Sequence, residues 1–256
     1  MPKRILIVGF GVVGYHLYEE FPEASLRDPK YSKCNASLDD EWDFIFICVP
    51  TPNKKDSWQC DTSIVLSVLD ELRKAQKASN AIVIIKSTVP PGFTKKHAVD
   101  IKLIFSPEYY GVTQHAHESE NFVTLGGNRL WTEKVAQLYM SKHDGYFRIN
   151  QTDSTTAELV KYMTNAWLAN QVTFANEFYR IANRLDVSYT DLRELFVCDS
   201  RVSPSHTFVY EDQPYWDSHC LNKDVRAITG FCEQLEYDPK FLRSIIDVNE
   251  KFKQDI

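Results

Sequence analysis

The chain has 256 residues, with 29 Lys and Arg against 35 Asp and Glu for a net charge of −6, and 43% of its residues are hydrophobic. This composition indicates a folded protein with a substantial core and excludes a disordered chain or a fibrous repeat. The acidity and the absence of a Lys/Arg cluster argue against nucleic-acid binding, and the longest apolar run, six residues at 44–49, is far short of the roughly 20 that a membrane span needs.

Short β-rich runs alternate with helical patterns up to about residue 150, an order typical of a parallel sheet with crossover helices. We predict strands at residues 4–8, 24–28, 44–49, 81–86, 101–105 and 121–126. We predict helices at residues 12–21, 61–78, 91–98 and 130–142. Continuous apolar runs at 44–49 and 81–85 indicate a sheet that is covered on both faces.

A glycine turn follows the first predicted strand and leads into a helix. Its sequence is Gly9-Phe10-Gly11-Val12-Val13-Gly14. In a G-x-G-x-x-G turn the first glycine permits the tight turn, the second lets backbone amides approach a pyrophosphate, and the third lets the helix pack on the strand. We therefore predict that these six residues hold the phosphates of a dinucleotide.

An acidic residue, Asp28, ends the next strand. A carboxylate there would accept hydrogen bonds from the adenosine ribose hydroxyls and disfavour a 2′-phosphate, so the predicted cofactor is NAD rather than NADP. Arg27 and Lys30 flank Asp28 and weaken that preference. The alternative interpretation is an ordinary glycine turn with a surface aspartate.

Three further loops leave strand ends at the edge where an open α/β sheet binds ligands. They are Val49-Pro50-Thr51-Pro52, Ser87-Thr88-Val89-Pro90-Pro91-Gly92 and Ser106-Pro107-Glu108. Thr51 and Thr88 could donate hydrogen bonds near the ribose and nicotinamide, and Glu108 brings a carboxylate to the same edge. The alternative is that the prolines merely end strands.

A long helical pattern covers residues 154–185, about 48 Å at about 1.5 Å per residue. Its large apolar residues form one stripe at helical spacing: Leu159, Met163, Trp167, Phe174, Phe178, Ile181 and Leu185. Such a helix spans two lobes or packs against a second copy of itself, although an apolar stripe can equally face a core. Thr155 and Glu158 have the spacing of an N-terminal capping box.

Two polar residues of this helix, Lys161 and Asn165, are four apart and share a face that is offset from the stripe. A lysine and an asparagine one turn apart can together hold a substrate hydroxyl or a water molecule. The alternative is a solvated helix face.

A cysteine, Cys220, begins a later helix. It follows a shorter helix near 188–197 and an irregular loop at 199–219, and helical periodicity then continues to residue 236. The dipole and exposed amides of a helix N-terminus favour the nucleophilic thiolate. Lys223 and Asp224 lie one turn further on. A final helix is predicted from Asp238 and Pro239 to the end.

Taken together and in order, these segments resemble the UDP-glucose/GDP-mannose dehydrogenase family. The matching segments are the glycine turn, Val49-Pro50-Thr51-Pro52, Ser87-Thr88-Val89-Pro90-Pro91-Gly92, Ser106-Pro107-Glu108, Ala157-Glu158-Leu159-Val160-Lys161 with Asn165-Ala166, Asp199-Ser200-Arg201, and Cys220-Leu221-Asn222-Lys223-Asp224. The resemblance implies a Rossmann-like, doubly wound parallel sheet that binds NAD at residues 1–152. An all-helical domain, built on one long central helix and carrying the catalytic cysteine, would follow at residues 153–256.

The resemblance also implies an activity, the oxidation of a nucleotide sugar's primary alcohol to a carboxylate in two NAD-dependent steps. Cys220 would capture the intermediate aldehyde as a thiohemiacetal that is then oxidised to a thioester. Lys161, Asn165 and Asp224 would organise the hydroxyl and a water molecule. Glu108 would help to hydrolyse the thioester.

Two more residues acquire roles from the resemblance. Thr88 would lie between the nicotinamide and the substrate, and Arg201 would reach the substrate across the interface of a homodimer formed through the 154–185 helix. The predicted protein is a cytoplasmic oxidoreductase, with a role in polysaccharide biosynthesis and without a metal, membrane or nucleic-acid partner. Its six cysteines lack disulfide or metal spacing and are predicted to be reduced thiols.

The sequence departs from the family in several respects. Asn222 stands where a proline is usual, and Val112 stands where an acidic residue that helps to hold the cofactor is expected. The family's glycine-rich segment before the cysteine is replaced by Tyr215-Trp216-Asp217-Ser218-His219. The side chains of this segment are expected to occupy that wall of the site, and Tyr215 is expected to contact the substrate. We also expect a short form without the family's second Rossmann-like domain. A catalytically degenerate NAD-binding scaffold is therefore one alternative. A β-hydroxyacid dehydrogenase, which also places Lys and Asn four apart on a long helix, is another, but it leaves Cys220 without a role.

Overall fold

The computed structural model describes residues 3–75, 80–109, 121–143 and 145–255. The chain divides into two units, the first made of Met1–Pro52 and Cys60–Lys161 and the second of Asn53–Gln59 and Tyr162–Ile256. No helix in the described ranges is long and apolar enough to cross a membrane.

The first unit contains a seven-stranded sheet in the order β2-β1-β3-β4-β5-β6-β7. Its strands are β1 (Ile5–Val8), β2 (Ser25–Arg27), β3 (Phe44–Ile47), β4 (Ile82–Ile85), β5 (Lys102–Phe105), β6 (Phe122–Gly126) and β7 (Arg148–Thr152). Strands β1 to β5 are parallel, β6 runs antiparallel to β5, and β7 runs parallel to β6. The predicted Rossmann-like fold class is confirmed.

Helices cover both faces of this sheet. They are α1 (Val12–Glu20), α2 (Ser63–Lys74), α3 (Phe93–His97) and α4 (Arg129–Met140). Alternate side chains of one strand enter different cores: Ile5 and Ile7 belong to one cluster, and Leu6 and Val8 to the other. The strands are continuously apolar because each face of the sheet packs against its own core, as the sequence indicated.

The edge strand β7 was not predicted. Its sequence, Arg148-Ile149-Asn150-Gln151-Thr152, is mostly polar, and none of its residues is fully buried. Its pairing with β6 depends on backbone hydrogen bonds, which leave no hydrophobic pattern in a half-exposed edge strand. The predicted end of the second helix, residues 76–78, lies outside the described residues.

The second unit is helical. Its helices are α5 (Ser154–Arg184), which begins in the first unit, α6 (Tyr189–Phe196), α7 (His219–Cys232) and α8 (Lys240–Gln254), and a short 3-10 helix (Glu233–Leu235) follows α7. A core cluster that includes Trp216, Leu221, Val225 and Ile246 joins α7 and α8. The final helix starts one residue later than predicted, at Lys240.

The start of α5 differs from the predicted capping box. Asp153, not Thr155, accepts a hydrogen bond from a first-turn amide, at 3.0 Å. The Glu158 carboxylate accepts instead from the amides of Gly92 and Thr94, at 2.5 and 2.8 Å. A buried carboxylate thus caps the N-terminus of α3, a tertiary contact that local spacing could not reveal.

The large apolar stripe of α5 does not face a core. All seven of its residues are between 41% and 71% exposed. The buried apolar residues of α5 are four alanines, Ala157, Ala169, Ala175 and Ala182, and one large residue, Tyr162. Alanine permits close helix packing but contributes little to a pattern based on large side chains, so the stripe indicated the outer face.

Candidate active site

The glycine turn lies where the sheet order reverses, between the carboxyl ends of β1 and β3. Gly9 has φ +95°, and a Cβ there would lie 2.6 Å from the carbonyl oxygen of Cys48. A Cβ on Gly14 would lie 2.0 Å from the carbonyl oxygen of Gly9. At Gly11, by contrast, a Cβ would meet nothing within 4 Å. Two glycines are therefore required by the fold, and Gly11 leaves open space beside the backbone, which fits a pyrophosphate.

Asp28, at the end of β2, is tied to this turn. Its carboxylate accepts hydrogen bonds from the backbone amides of Phe10, at 2.7 Å, and Lys30, at 2.8 Å. The Arg27 guanidinium pairs with Glu71 at 3.1 Å. The structure thus brings Asp28 to the glycine turn and gives its carboxylate a structural task that the sequence did not indicate.

The loops after β3 and β4 are pinned to each other. The Ser87 hydroxyl donates to the carbonyl oxygen of Val49 at 2.7 Å, so it serves the backbone. Thr51 is buried and Thr88 is half-buried, whereas Pro50 is exposed. Because β1, β3, β4 and β5 are parallel neighbours, these loops and Glu108 lie at one edge of the sheet.

A buried ion pair lies at the same edge. The Lys86 ammonium is 2.8 Å from a carboxylate oxygen of Glu108, and the two side chains are 2% and 18% exposed. Burial opposes the charge on Lys86, but the attraction of Glu108 and neighbouring groups outweighs it, so the pKa of Lys86 lies above its ordinary value. The Lys161 ammonium donates to the backbone carbonyl of Glu108 at 2.6 Å.

Lys86 was not among the residues predicted from the sequence. The signal was nevertheless present, because this lysine directly continues the buried strand β4 and lysine is almost never buried without a partner. The corresponding loop after the neighbouring strand β5 supplies a carboxylate, Glu108.

In the second unit, Asn165 on α5 contacts Asp224 on α7, and Lys223 also contacts Asp224. The Asn165 amide donates to one oxygen of Asp224 at 2.6 Å, and the Lys223 ammonium pairs with the other. Asp224 is 1% exposed and Asn165 5%. Cys220 is half-buried one turn before Asp224, in the first turn of α7.

The helix face shared by Lys161 and Asn165 is not solvated. Lys161 is only 9% exposed, so the alternative of a solvated face is wrong. Both polar side chains lie among buried partners, which is costly unless their hydrogen bonds are made.

Residues 53–59, which the sequence patterns did not mark as part of the site, pack against α7. The Asn53 amide donates to the carbonyl oxygen of Lys223 at 3.0 Å and to that of Trp58 at 2.8 Å. A Cβ on Gly230 would lie 3.1 Å from the Trp58 backbone. Residues 53–59 therefore pack closely along α7 and fix the turn that contains Lys223.

Two predicted substrate residues are not part of these clusters. The Arg201 side chain is 87% exposed and pairs with Asp199. Tyr215 is half-buried, and the Lys253 ammonium lies 5.6 Å from its ring centroid. Its neighbour Trp216 does not line an open wall as expected, because it is 3% exposed within the core of the second unit.

None of the six cysteines, all in the described part of the chain, forms a disulfide bond. Burial raises the pKa of the Cys48 thiol to about 12. Such a thiol stays protonated at neutral pH and has the character of a packing residue.

Two models of one protein family match the chain. Residues 30–139 match the NAD binding domain of the UDP-glucose/GDP-mannose dehydrogenase family, and residues 155–251 match its central domain. Together they account for most of the chain. The match to the NAD binding domain confirms the predicted cofactor.

Curated relatives include a UDP-N-acetyl-D-mannosamine dehydrogenase of Methanococcus aeolicus, 32% identical over 77% of this chain and 46% of the relative. A UDP-glucose 6-dehydrogenase of Rickettsia bellii is 26% identical over 81% of this chain and 49% of the relative. The chain thus spans about half the length of the curated relatives it matches.

Solved structures share the fold. A UDP-glucose dehydrogenase of Pyrobaculum islandicum has a TM-score of 0.79 at 21% identity, over 98% of this chain and 68% of the other. A 3-hydroxyisobutyrate dehydrogenase of Mycobacterium tuberculosis has a TM-score of 0.75 at 14% identity, over 100% of this chain and 95% of the other. At these identities the likeness supports the fold alone.

Proposed function

Because the chain belongs to the UDP-glucose/GDP-mannose dehydrogenase family, we propose that it oxidises the primary alcohol of a nucleotide sugar to a carboxylate with NAD. The observation that supports this most is the cluster around Asp224. Asn165 and Lys223 each contact one carboxylate oxygen of Asp224. Cys220 lies one turn before Asp224, in the first turn of α7. Such an arrangement suits covalent oxidation of an aldehyde, which needs a thiolate beside preorganised polar groups.

NAD, when bound, accepts the hydride removed in each of the two oxidations. The glycine turn at residues 9–14 and Asp28 would hold its phosphates and adenosine ribose, and the open space at Gly11 fits this role. Its nicotinamide end would be held by the loops after β3 and β4, through Val49, Pro50, Thr51, Ser87 and Thr88.

In the first oxidation, Lys161 and Asn165 hold the sugar hydroxyl. As the carbon gives up its hydride, the hydroxyl proton passes to a water molecule organised by Asn165 and Asp224, and the aldehyde forms. The Lys161 ammonium stabilises the developing negative charge on oxygen.

In the second oxidation, the Cys220 thiolate adds to the aldehyde carbon and forms a C–S bond. Loss of a second hydride from this thiohemiacetal gives a thioester. Glu108 then accepts a proton from an attacking water molecule, the C–S bond breaks, and the products are the carboxylate and the Cys220 thiolate.

We also propose that the chain forms a homodimer through α5. Seven large apolar side chains between 41% and 71% exposed form a contiguous stripe, which is unusual on a monomer surface. A two-fold interface would let each copy cover the other's stripe. Arg201, exposed on its own copy, would then reach the partner's substrate.

The test is NAD reduction by the purified protein with a panel of UDP- and GDP-sugars, monitored at the NADH absorbance. Cys220→Ser should release aldehyde, detected with a carbonyl-trapping reagent, and lose carboxylate formation by at least about 100-fold. Cys198→Ser, which alters an exposed cysteine of the same unit, is the matched control and should retain wild-type rates. Absence of wild-type turnover on every sugar nucleotide would refute the proposal.

A β-hydroxyacid dehydrogenase is the second candidate, because Lys161 and Asn165, four apart on a long helix, also suit that class of enzyme. It predicts full activity in Cys220→Ser, on a hydroxyacid. A degenerate scaffold predicts neither turnover nor NAD binding in calorimetry.

A further inference from the structure

The buried ion pair between Lys86 and Glu108 has no place in the chemistry described so far. We infer that Lys86 is the positioning residue for Glu108, fixing the orientation of its carboxylate for the attack of water on the Cys220 thioester. This inference rests on the proposed function and assigns a task to a side chain that would not itself touch the substrate.

Glu108 is held at three points. The Lys86 ammonium lies 2.8 Å from Oε2, the Tyr109 amide donates to Oε1 at 3.2 Å, and Lys161 donates to the backbone carbonyl at 2.6 Å. Each carboxylate oxygen has a second lone pair. One oxygen can therefore accept a proton from water while the other remains fixed.

The surroundings of Lys86 leave its ammonium committed to this pair. Its other described polar neighbours are neutral hydroxyls, Ser106 at 3.3 Å and Tyr139 at 3.5 Å. Burial raises the pKa of Tyr139 well above its ordinary value, so this hydroxyl stays neutral and cannot replace the carboxylate as counter-ion. Glu20, on α1, adds a longer-range attraction.

Stability alone does not explain a buried lysine at this place. A buried ion pair often contributes no more to stability than apolar side chains of similar volume, because the desolvation of both ions offsets their attraction. The adjacent strand ends are otherwise filled by apolar residues such as Ile85 and Phe105. A cation 2.8 Å from one carboxylate oxygen, at the sheet edge where ligands bind, is explained if that carboxylate must keep a fixed orientation.

The step that depends on the pair is hydrolysis. Water adds to the thioester carbon, Glu108 takes the water proton, and collapse of the tetrahedral intermediate breaks the C–S bond. The carboxylic acid loses its own proton to solvent and leaves as the carboxylate, the sulfur returns as thiolate, and Glu108 passes the proton from water to solvent. No oxidant is consumed, so loss of Lys86 should slow this step and leave both hydride transfers intact.

The experiment follows the acyl-enzyme directly. Wild type, Lys86→Met and Lys86→Arg are mixed with NAD and a sugar nucleotide that wild type oxidises, quenched with acid, and weighed intact by mass spectrometry. Lys86→Met should lower kcat about 100-fold, as expected for loss of a positioned base, and most of the enzyme should carry the acyl group. Lys86→Arg, which keeps the cation, should recover at least about tenfold of that loss.

Three controls separate positioning from structural damage. Lys142→Met removes another lysine ion pair of the first unit, with Glu23, and should behave as wild type. Ser106→Ala leaves both charges in place and removes one neutral partner of Lys86. This variant tests the inference even if Lys86→Met does not fold, and its rise in acyl-enzyme should be smaller than the rise expected for Lys86→Met. In a Glu108→Gln background, Lys86→Met should change kcat by less than about threefold, because residues that act through one another are not additive.

The outcomes are distinct. Inactive wild type would refute the proposed function and this inference with it. Active wild type, with no more acyl-enzyme in the Lys86→Met or Ser106→Ala variants, would refute the inference alone. Multiplicative losses in the double variant would show that Lys86 does not act through Glu108 and would also refute it.

Discussion

The exposed stripe of α5 allows a direct estimate of what one side chain contributes to a dimer. Trp167 is 59% exposed. An aromatic side chain of its size presents up to about 250 Å², so about 150 Å² remains to be covered at this site. At about 25 cal/mol per Å², complete cover is worth about 4 kcal/mol per copy. Both copies contribute in a two-fold interface, which gives an upper limit near 8 kcal/mol.

Trp167→Glu replaces this surface with a charge that two-fold symmetry would bring near its own image. Loss of only half the upper limit, about 4 kcal/mol, raises the dimer Kd about 1000-fold. Sedimentation velocity over a concentration series should show a dimer for wild type and a monomer for the variant. Phe241→Glu, at a 64% exposed aromatic residue of α8, is the matched control and should remain dimeric.

At a concentration where wild type is dimeric, the unfolding temperature of the variant should be lower, because dimerisation stabilises only the folded state. Two results would contradict the reasoning. If wild type sediments as a monomer at all concentrations, the stripe has another function. If Trp167→Glu remains as dimeric as Phe241→Glu, the interface lies elsewhere.

Three further predictions concern the first unit. Gly11→Ala should leave the unfolding temperature within about 2 °C of wild type but raise the NAD Kd at least about tenfold, because the new Cβ would occupy space that the cofactor needs. Gly14→Ala, whose Cβ would lie 2.0 Å from a carbonyl oxygen, should instead lower the unfolding temperature. Equal effects of the two variants in thermal unfolding and in NAD calorimetry would contradict this difference. Glu158→Ala should lower the unfolding free energy by about 3 kcal/mol in urea titrations, because the amides of Gly92 and Thr94 lose their acceptor. A loss below about 0.5 kcal/mol would show that water replaces the carboxylate as acceptor. Burial raises the pKa of Glu20 above its ordinary 4.5, so the folded state binds the proton more tightly. This contribution to stability is fully present below pH 4.5 and is lost as pH rises through the raised pKa. Glu20→Gln should flatten the fall in unfolding free energy just above pH 4.5, and an unchanged slope would assign that fall to other groups.

The first unit was largely predictable because its signals are local and repeated. Apolar runs at β3 and β4, together with the glycine turn after β1, indicated a parallel sheet and its ligand edge. Strand β7 was missed because Asn150 and Gln151 carry no hydrophobic period. A polar edge strand is defined by its neighbour's backbone, which the sequence does not show.

Part of the candidate site was indicated by the resemblance to the family, and the catalytic roles of its residues stay a prediction. Asn165 and Asp224 were both proposed from sequence, and their 2.6 Å hydrogen bond joins helices that are far apart in the chain. Lys86 was missed because a lysine at a strand end usually reaches solvent. Glu158 was assigned to its own helix, although its partners lie more than 60 positions earlier. In each case a tertiary contact decided the outcome, and spacing within one element could not.

The proposed reaction removes four electrons from each sugar, two as the alcohol becomes the aldehyde and two from the carbon that is then bonded to the sulfur of Cys220. Its most direct test is the amount of NADH formed when a limiting amount of sugar nucleotide is fully consumed, with the product analysed for its carboxylate. We expect two NADH and one carboxylate per sugar for wild type, and a covalent adduct on the Cys220 peptide when a separate reaction is quenched with acid during turnover. One NADH per sugar, with an aldehyde or ketone as the final product and no adduct, would contradict it.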